Sequence, residues 1–368
     1  MKQYRVAIIG QGRSGRDIHG AFFRSAACAD RFKVVVVAEK LADRRERALT
    51  EYPNCKVVND YTEFFNMKDE IDFVVNSTLS HDHYPVTKDL LEHGFNVISE
   101  KPAARYASEV VDLIETAKKH NVLYNVFQQS RFTPYFSKIK EIIASGVLGR
   151  IIEIDIQFNS FGRRWDWQTL QGFNGGSLLN TGPHPMDQAL NLLDYDLDKT
   201  PQVFCKMDRA NTFGDAEDYC KVILTAPDKP LIDLTISCCD AYPLLTYKIH
   251  AEHGGLKATT TDIDWRYYKI EEAPDQKLIK TPLCKPDGTP AYCGEKLTWY
   301  EDSWNSKDSG AFDYAVNKYY TMIYDYLTDD NEMPITPYQV RQQIAVMEEC
   351  HRQNPLSKLS AQSGQPEV

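Results

Sequence analysis

The chain has 368 residues, 42% of them hydrophobic and 26% charged, with a formal net charge of −10; this is a globular composition, long enough for two domains with a cleft between them. The acidic balance argues against nucleic acid or an anionic membrane as partner, and no apolar run approaches the length that spans a bilayer. Nine scattered cysteines without a Cys-x-x-Cys pair, and a start that runs straight into a strand without a secretory leader, predict a reduced, cytoplasmic protein with no disulfide framework and no metal site.

Six short β-branched runs, at 5–9, 33–38, 56–58, 73–76, 96–99 and 123–126, alternate with amphipathic stretches at 16–27, 42–51, 61–66, 83–93 and 108–119. Strict alternation of this kind predicts an α/β Rossmann domain, a doubly wound parallel sheet, over 1–128. Within it, Arg44-Arg45-Glu46-Arg47 reads as a solvated helix face. After residue 128 the rhythm changes: a helix over 134–145 ends at Gly146, and longer alternating strands follow at 151–160, 202–208, 219–225, 231–239 and 246–251. These predict an α+β domain over 129–336 with an open, mostly antiparallel sheet. The stretch 265–305, rich in Pro, Gly, Lys and aromatics, reads as long loops. The aromatics of 265–326, Trp265, Trp299 and Trp304 among them, suit core packing, subunit contacts or a sugar-facing surface. A last helix over 337–351, with Val340, Ile344 and Met347 at helical spacing, is expected to pack back on the first domain, and 352–368 reads as a disordered tail.

Gly10-Gln11-Gly12-Arg13-Ser14-Gly15 follows the first strand and opens a helical stretch. A Gly-x-Gly-x-x-Gly turn there permits a tight bend at Gly10, backbone approach to a pyrophosphate at Gly12, and close helix–strand packing at Gly15. Glu39, which ends the second strand 24 residues beyond Gly15, is placed to accept hydrogen bonds from an adenosine ribose. Its carboxylate favours NAD over NADP, while Lys40 beside it leaves NADP open. Glu100-Lys101-Pro102 ends the fifth strand, where a doubly wound sheet points at its ligand crevice. Farther along, Thr181-Gly182-Pro183 reads as a helix start, with Met186, Ala189, Leu190 and Leu193 as the buried stripe. His184 falls off that stripe in the first turn, where the positive helix end keeps an imidazole neutral and able to accept a proton.

Three motifs in this order, Gly10–Gly15, Glu100-Lys101-Pro102 and the run from Gly175 through His184 to Asp187, resemble the glucose-fructose oxidoreductase, inositol dehydrogenase and rhizopine-catabolism (Gfo/Idh/MocA) family of sugar oxidoreductases. Glu252-His253-Gly254-Gly255 and Pro334-Ile335-Thr336 extend the resemblance over nearly the whole chain. It implies an NAD(P)-dependent dehydrogenase acting on a secondary alcohol of a sugar, cyclitol or glycoside. Lys101 would polarise the reacting hydroxyl, His184 would exchange its proton and Asn180 would position a hydroxyl. Ser77, Thr78, His83, Glu100, Gln129 and Trp167 would contact the cofactor, and Arg164 and Trp167 the substrate. The residues themselves favour a hydrogen-bonding, structural role for His81 and His83. A homodimer or homotetramer through the second domain's sheet is also implied.

Two departures stand out. Asn180 occupies a place where the family usually has Asp, with Asp187 one turn beyond His184 as a partial substitute, and Trp167-Gln168 replaces the common Trp-Arg. Loss of that cation points to a neutral polyol or glycoside. Two rival readings stay open, a glycoside-cleaving enzyme that oxidises transiently, and a cofactor-sensing protein that has lost the chemistry.

Overall fold

The computed structural model describes residues 2–306 and 310–357. Strands β1 (Tyr4–Ile9), β2 (Phe32–Ala38), β3 (Lys56–Val58), β4 (Phe73–Asn76), β5 (Val97–Ser99) and β6 (Tyr124–Val126) pair in parallel in the order β3-β2-β1-β4-β5-β6. The order reverses between β1 and β4, so the turns after these strands form the crevice in which such sheets hold ligands. The predicted helix after β1 begins earlier than its periodicity suggests. It opens as a wide π-type turn, Arg13–His19, and continues as α1 (Gly20–Arg24). α2 (Ala42–Glu51), α3 (His83–Glu92) and α4 (Ala107–His120) complete the crossovers.

The second sheet has eight strands in the order β16-β13-β12-β11-β7-β10-β9-β8. These are β7 (Ile151–Asn159), β8 (Gln202–Asp208), β9 (Tyr219–Thr225), β10 (Leu231–Ser237), β11 (Tyr247–Ala251), β12 (Gly254–Ala258), β13 (Asp262–Tyr267) and β16 (Tyr300–Asn305). Only β7 and β10 run parallel; every other pair is antiparallel. The stretch 265–305 is therefore not all loop. Its flanks, with Ile263, Trp265 and Trp304 facing inward, build the paired edge strands β13 and β16, and only 268–299 lies between them, with β14 (Leu283–Cys284) and β15 (Pro290–Ala291) as a small hairpin. Composition over the whole stretch hid the alternation at its two ends.

The inner face of this sheet is covered by α5 (Pro134–Ala144), by the one-turn α6 (Ser177–Asn180) and by α7 (Pro183–Leu193), whose Met186, Ala189, Leu190 and Leu193 are all buried on the sheet's core. α8 (Ala311–Asp329) falls in the span expected to belong to the second domain, yet it packs on the first sheet. Ala315, Val316, Tyr319, Tyr320 and Ile323 recur at helical spacing, and the Tyr320 ring stacks on Phe22 at 4.6 Å. These tyrosines are core rather than sugar-facing surface. α9 (Pro337–Gln353) touches both units, packing on α4 of the first and on β8 of the second. The expected tail from 352 begins as the end of this helix, and 358–368 lies outside the described residues.

Candidate active site

The phosphate-binding turn keeps the geometry its three glycines allow. Gly10 has φ +87, and a Cβ on Gly15 would stand 2.0 Å from the Gly10 carbonyl and 2.6 Å from Ser77 Oγ. Any side chain at Gly15 therefore drives β1 and the helix apart. Gly12 differs: a Cβ there would meet only Arg44 Nη1, at 3.8 Å, so the space above it is open. Open space over Gly12 fits a pyrophosphate, whereas Gln11 Oε1 and Gln129 Oε1, buried acceptors without a partner, suit a hydroxyl or amide donor and not a phosphate. Arg13 is exposed and Ser14 half-buried on the first turn.

Glu39 is buried and accepts the Gln11 N–H at 2.7 Å and the Leu41 N–H at 3.0 Å. The basic run behind it is half-exposed, with Glu46 in solvent, and its arginines also reach back to this turn. Arg44 Nη1 stands 3.7 Å from Glu39, Arg45 donates to the Glu39 and Lys40 carbonyls, and Arg47 donates to the Gln11 carbonyl. Sequence periodicity gave no sign of this, because the turn they face is folded back from another strand.

Four groups assigned to ligands are occupied within the protein. His83 Nδ1 lies 2.8 Å from the Pro102 carbonyl and Nε2 3.2 Å from that of Thr78, so the ring ties the two strand-end turns together and leaves no nitrogen for a cofactor. Ser77 Oγ donates to the Ile9 carbonyl and Thr78 Oγ1 to Asn76 Oδ1. Glu100 is buried beneath the site, where it accepts the Lys101 N–H and meets His19 Nε2 at 3.1 Å. Burial opposes its charge, but the His19 hydrogen bond and the charges of His19 and Lys101 carry it down to about 2. His19 reaches it from the wide first turn, which is one physical reason for that irregularity.

Lys101 precedes a cis bond to Pro102 and crosses the cleft, donating from Nζ to the Asn180 carbonyl at 2.6 Å. Two of its N–H bonds remain for a substrate oxygen. Burial lowers its pKa, Glu100 works the other way, and the Arg13 charge lowers it further. His184, in the first turn of α7, has a buried Nδ1 with no partner. Burial and the Lys101 charge push its pKa down to about 3, against the opposing charge of Glu100, so it stands as a neutral imidazole within reach of the Lys101 charge.

The two departures touch one another, since the Asn180 amide lies 3.4 Å from Gln168 Oε1. Two neutral amides meet there. Trp167 lies beside them, 6.2 Å from the Phe173 ring. Arg164 pairs with Asp166 Oδ2 at 3.1 and 2.7 Å on the exposed rim. Asp187 does not stand in for the missing acid either. It is 2% exposed and paired with buried Arg131, Nε to Oδ2 at 2.7 Å with a second, shorter contact from Nη2. Asp187→Ala leaves that guanidinium buried and unpaired, so chemical denaturation should show a loss of about 3 kcal/mol of stability; an unchanged midpoint would show the pair to be dispensable.

A model described as "Oxidoreductase family, NAD-binding Rossmann fold" matches residues 4–128, and one described as "GFO/IDH/MocA C-terminal domain" matches 136–257. The chain is 30% identical over 195 residues to an uncharacterized oxidoreductase of Schizosaccharomyces pombe, covering 52% of each. It is 28% identical over 210 residues to the scyllo-inositol 2-dehydrogenase (NADP(+)) IolW of Bacillus subtilis, covering 56% of this chain and 57% of that one. The match thus spans about half the length of these relatives. An oxidoreductase structure from Bacillus cereus superimposes with a TM-score of 0.76 at 19% identity, over 97% of this chain and 99% of that one, which establishes likeness of fold.

Proposed function

Because the chain belongs to the Gfo/Idh/MocA oxidoreductase family and its first domain is the family's NAD-binding Rossmann fold, we propose that it moves hydride between nicotinamide and a secondary alcohol of a neutral cyclitol, sugar or glycoside. The observation that carries this reading is that Lys101, held by the Asn180 carbonyl across the cleft, bears its charge on His184, which it helps to keep neutral. When bound, the nicotinamide ring supplies C4 as the hydride acceptor. Lys101 donates to the substrate oxygen and stabilises its alkoxide character through its charge. The neutral His184 imidazole takes the hydroxyl proton as the carbon loses hydride. A base of such low pKa is ordinarily weak. The hydroxyl grows more acidic as its carbon loses hydride and as Lys101 stabilises the developing negative charge on its oxygen, so a nearby neutral imidazole can take the proton. The Asn180 amide, opposite Gln168, orients a neighbouring hydroxyl without adding charge.

The outer face of the eight-stranded sheet, where Lys248, His250, Arg266 and Trp299 border an open hollow of about 1060 Å³, is the surface assigned here to a second copy. Carboxylates of Glu153, Asp155 and Asp233 also cluster on this face, with His250 and Lys221 against them.

Incubation with NAD or NADP and a panel of inositols, sugars and glycosides tests the reading, with reduced nicotinamide followed by absorbance and ketones by product analysis. A ketone should form from a cyclitol or sugar with net reduction of nicotinamide. NAD should outperform NADP, because a 2′-phosphate would stand against the buried Glu39 carboxylate, and Glu39→Ala should narrow the gap by exposing Arg44. Glycoside cleavage without net reduction would instead identify transient oxidation. Tight NAD binding with no turnover of any alcohol would remove the reading.

A further inference from the structure

We propose that Glu217 is a positioning residue of this site, holding the start of α6 so that the Asn180 carbonyl meets the Lys101 ammonium. The proposal rests on the hydride-transfer reading above, in which Lys101 acts on the substrate oxygen. Glu217 lies just before β9 and is 2% exposed. Its Oε1 accepts the Leu178 N–H at 2.9 Å, and its backbone carbonyl accepts the Ser177 N–H at 2.9 Å.

Gly176 turns over this carboxylate with φ +104, and a Cβ there would stand 2.4 Å from Oε2. That glycine is required by the carboxylate beneath it. One turn on, the Asn180 N–H bonds the Gly176 carbonyl at 2.9 Å, and the Asn180 carbonyl receives Lys101. The path from Glu217 to Lys101 is thus a single turn of helix. So short a helix has no stability of its own; its place is set by Glu217 at one end and by Lys101 at the other.

A buried carboxylate without an ion pair is costly, and a structural acceptor for one N–H does not require a charge. Facing Glu217 are Arg105, from the segment before α4, His351 of α9, whose Nε2 is 4.0 Å from Oε2, and the thiols of Cys205, Cys220 and Cys350. Burial pushes Glu217 up to about 7, against the Leu178 hydrogen bond and the Arg105 charge. His351 is held neutral, lowered to about 4 by burial and Arg105. Of the carboxylate and imidazole here, Glu217 is the one that titrates near neutrality. Below that pH its bond to Leu178 loses the ionic contribution, and the grip on α6 weakens.

The acetylation of Lys101 by acetic anhydride, quantified by mass spectrometry across a range of pH, reads this link without a substrate, with Lys140 as an internal control for unfolding. Glu217→Ala should raise the Lys101 rate roughly threefold or more, since an ammonium that loses its acceptor ionises more readily to the reactive amine. Glu217→Gln keeps an oxygen for Leu178 without the charge and should give an intermediate rate, matching that of the unaltered protein below about pH 7. With scyllo-inositol, or the panel alcohol that turns over, Glu217→Ala should lower kcat roughly 10- to 100-fold with little change in KM. Glu217→Gln should abolish the decline in kcat that the unaltered protein shows as pH falls through about 7. Lys101 reacting alike in all three proteins would overturn the proposal. A panel without turnover counts against hydride transfer alone, and the acetylation rates still decide the role of Glu217.

Discussion

Lys101→Ala is expected to lower kcat by roughly 1,000-fold or more, equivalent to about 4 kcal/mol of transition-state stabilisation, while NAD still binds within about twofold of its original affinity. The separation follows from geometry. The Lys101 ammonium points across the cleft to the Asn180 carbonyl, whereas the dinucleotide end of the crevice is built from Gly10 to Gly15 and Glu39. Substrate kinetics together with NAD titration by fluorescence would check both halves, and near-normal turnover would remove Lys101 from the mechanism. The sign of the pH dependence also follows. A lysine lowered by burial loses its ammonium form at lower pH than a free side chain, so turnover should decline on the alkaline side earlier than an exposed lysine would allow.

His184→Ala should cost roughly 100- to 10,000-fold in kcat, the range of a lost general base. Its unaltered pKa near 3 puts the neutral imidazole in place throughout the working range, so His184 should contribute no limb to the pH profile between 5 and 8. Added imidazole should restore part of the lost rate, and a solvent isotope effect on kcat should change between the two proteins. Equal rates in both would assign the proton to another acceptor. Because Asn180 and Gln168 meet as neutral amides, neither can replace His184 as a proton acceptor.

What the residues disclosed by themselves was local. β-branched runs in strict alternation with amphipathic stretches placed all six strands of the first sheet to within a residue of each end. The glycine turn, the Glu100-Lys101-Pro102 turn and the buried stripe of α7 were equally legible, because each depends on neighbours within a turn or a strand. The helical stripe of α8 was also present in the sequence, and core packing was among the readings of its aromatics, but which sheet the stripe covers was not legible.

Other features were decided by partners distant along the chain. Arg131 reaches Asp187 across 56 residues and removes it from the chemistry, and Arg47 reaches Gln11 across 36. His83 closes on Pro102, and Glu217 on Leu178, by the same kind of long return. Periodicity reports which face of an element is apolar. It carries no record of which polar group that face will meet, since a buried charge or ring nitrogen is fixed by the partner that satisfies it, and only the folded chain brings that partner within hydrogen-bonding distance.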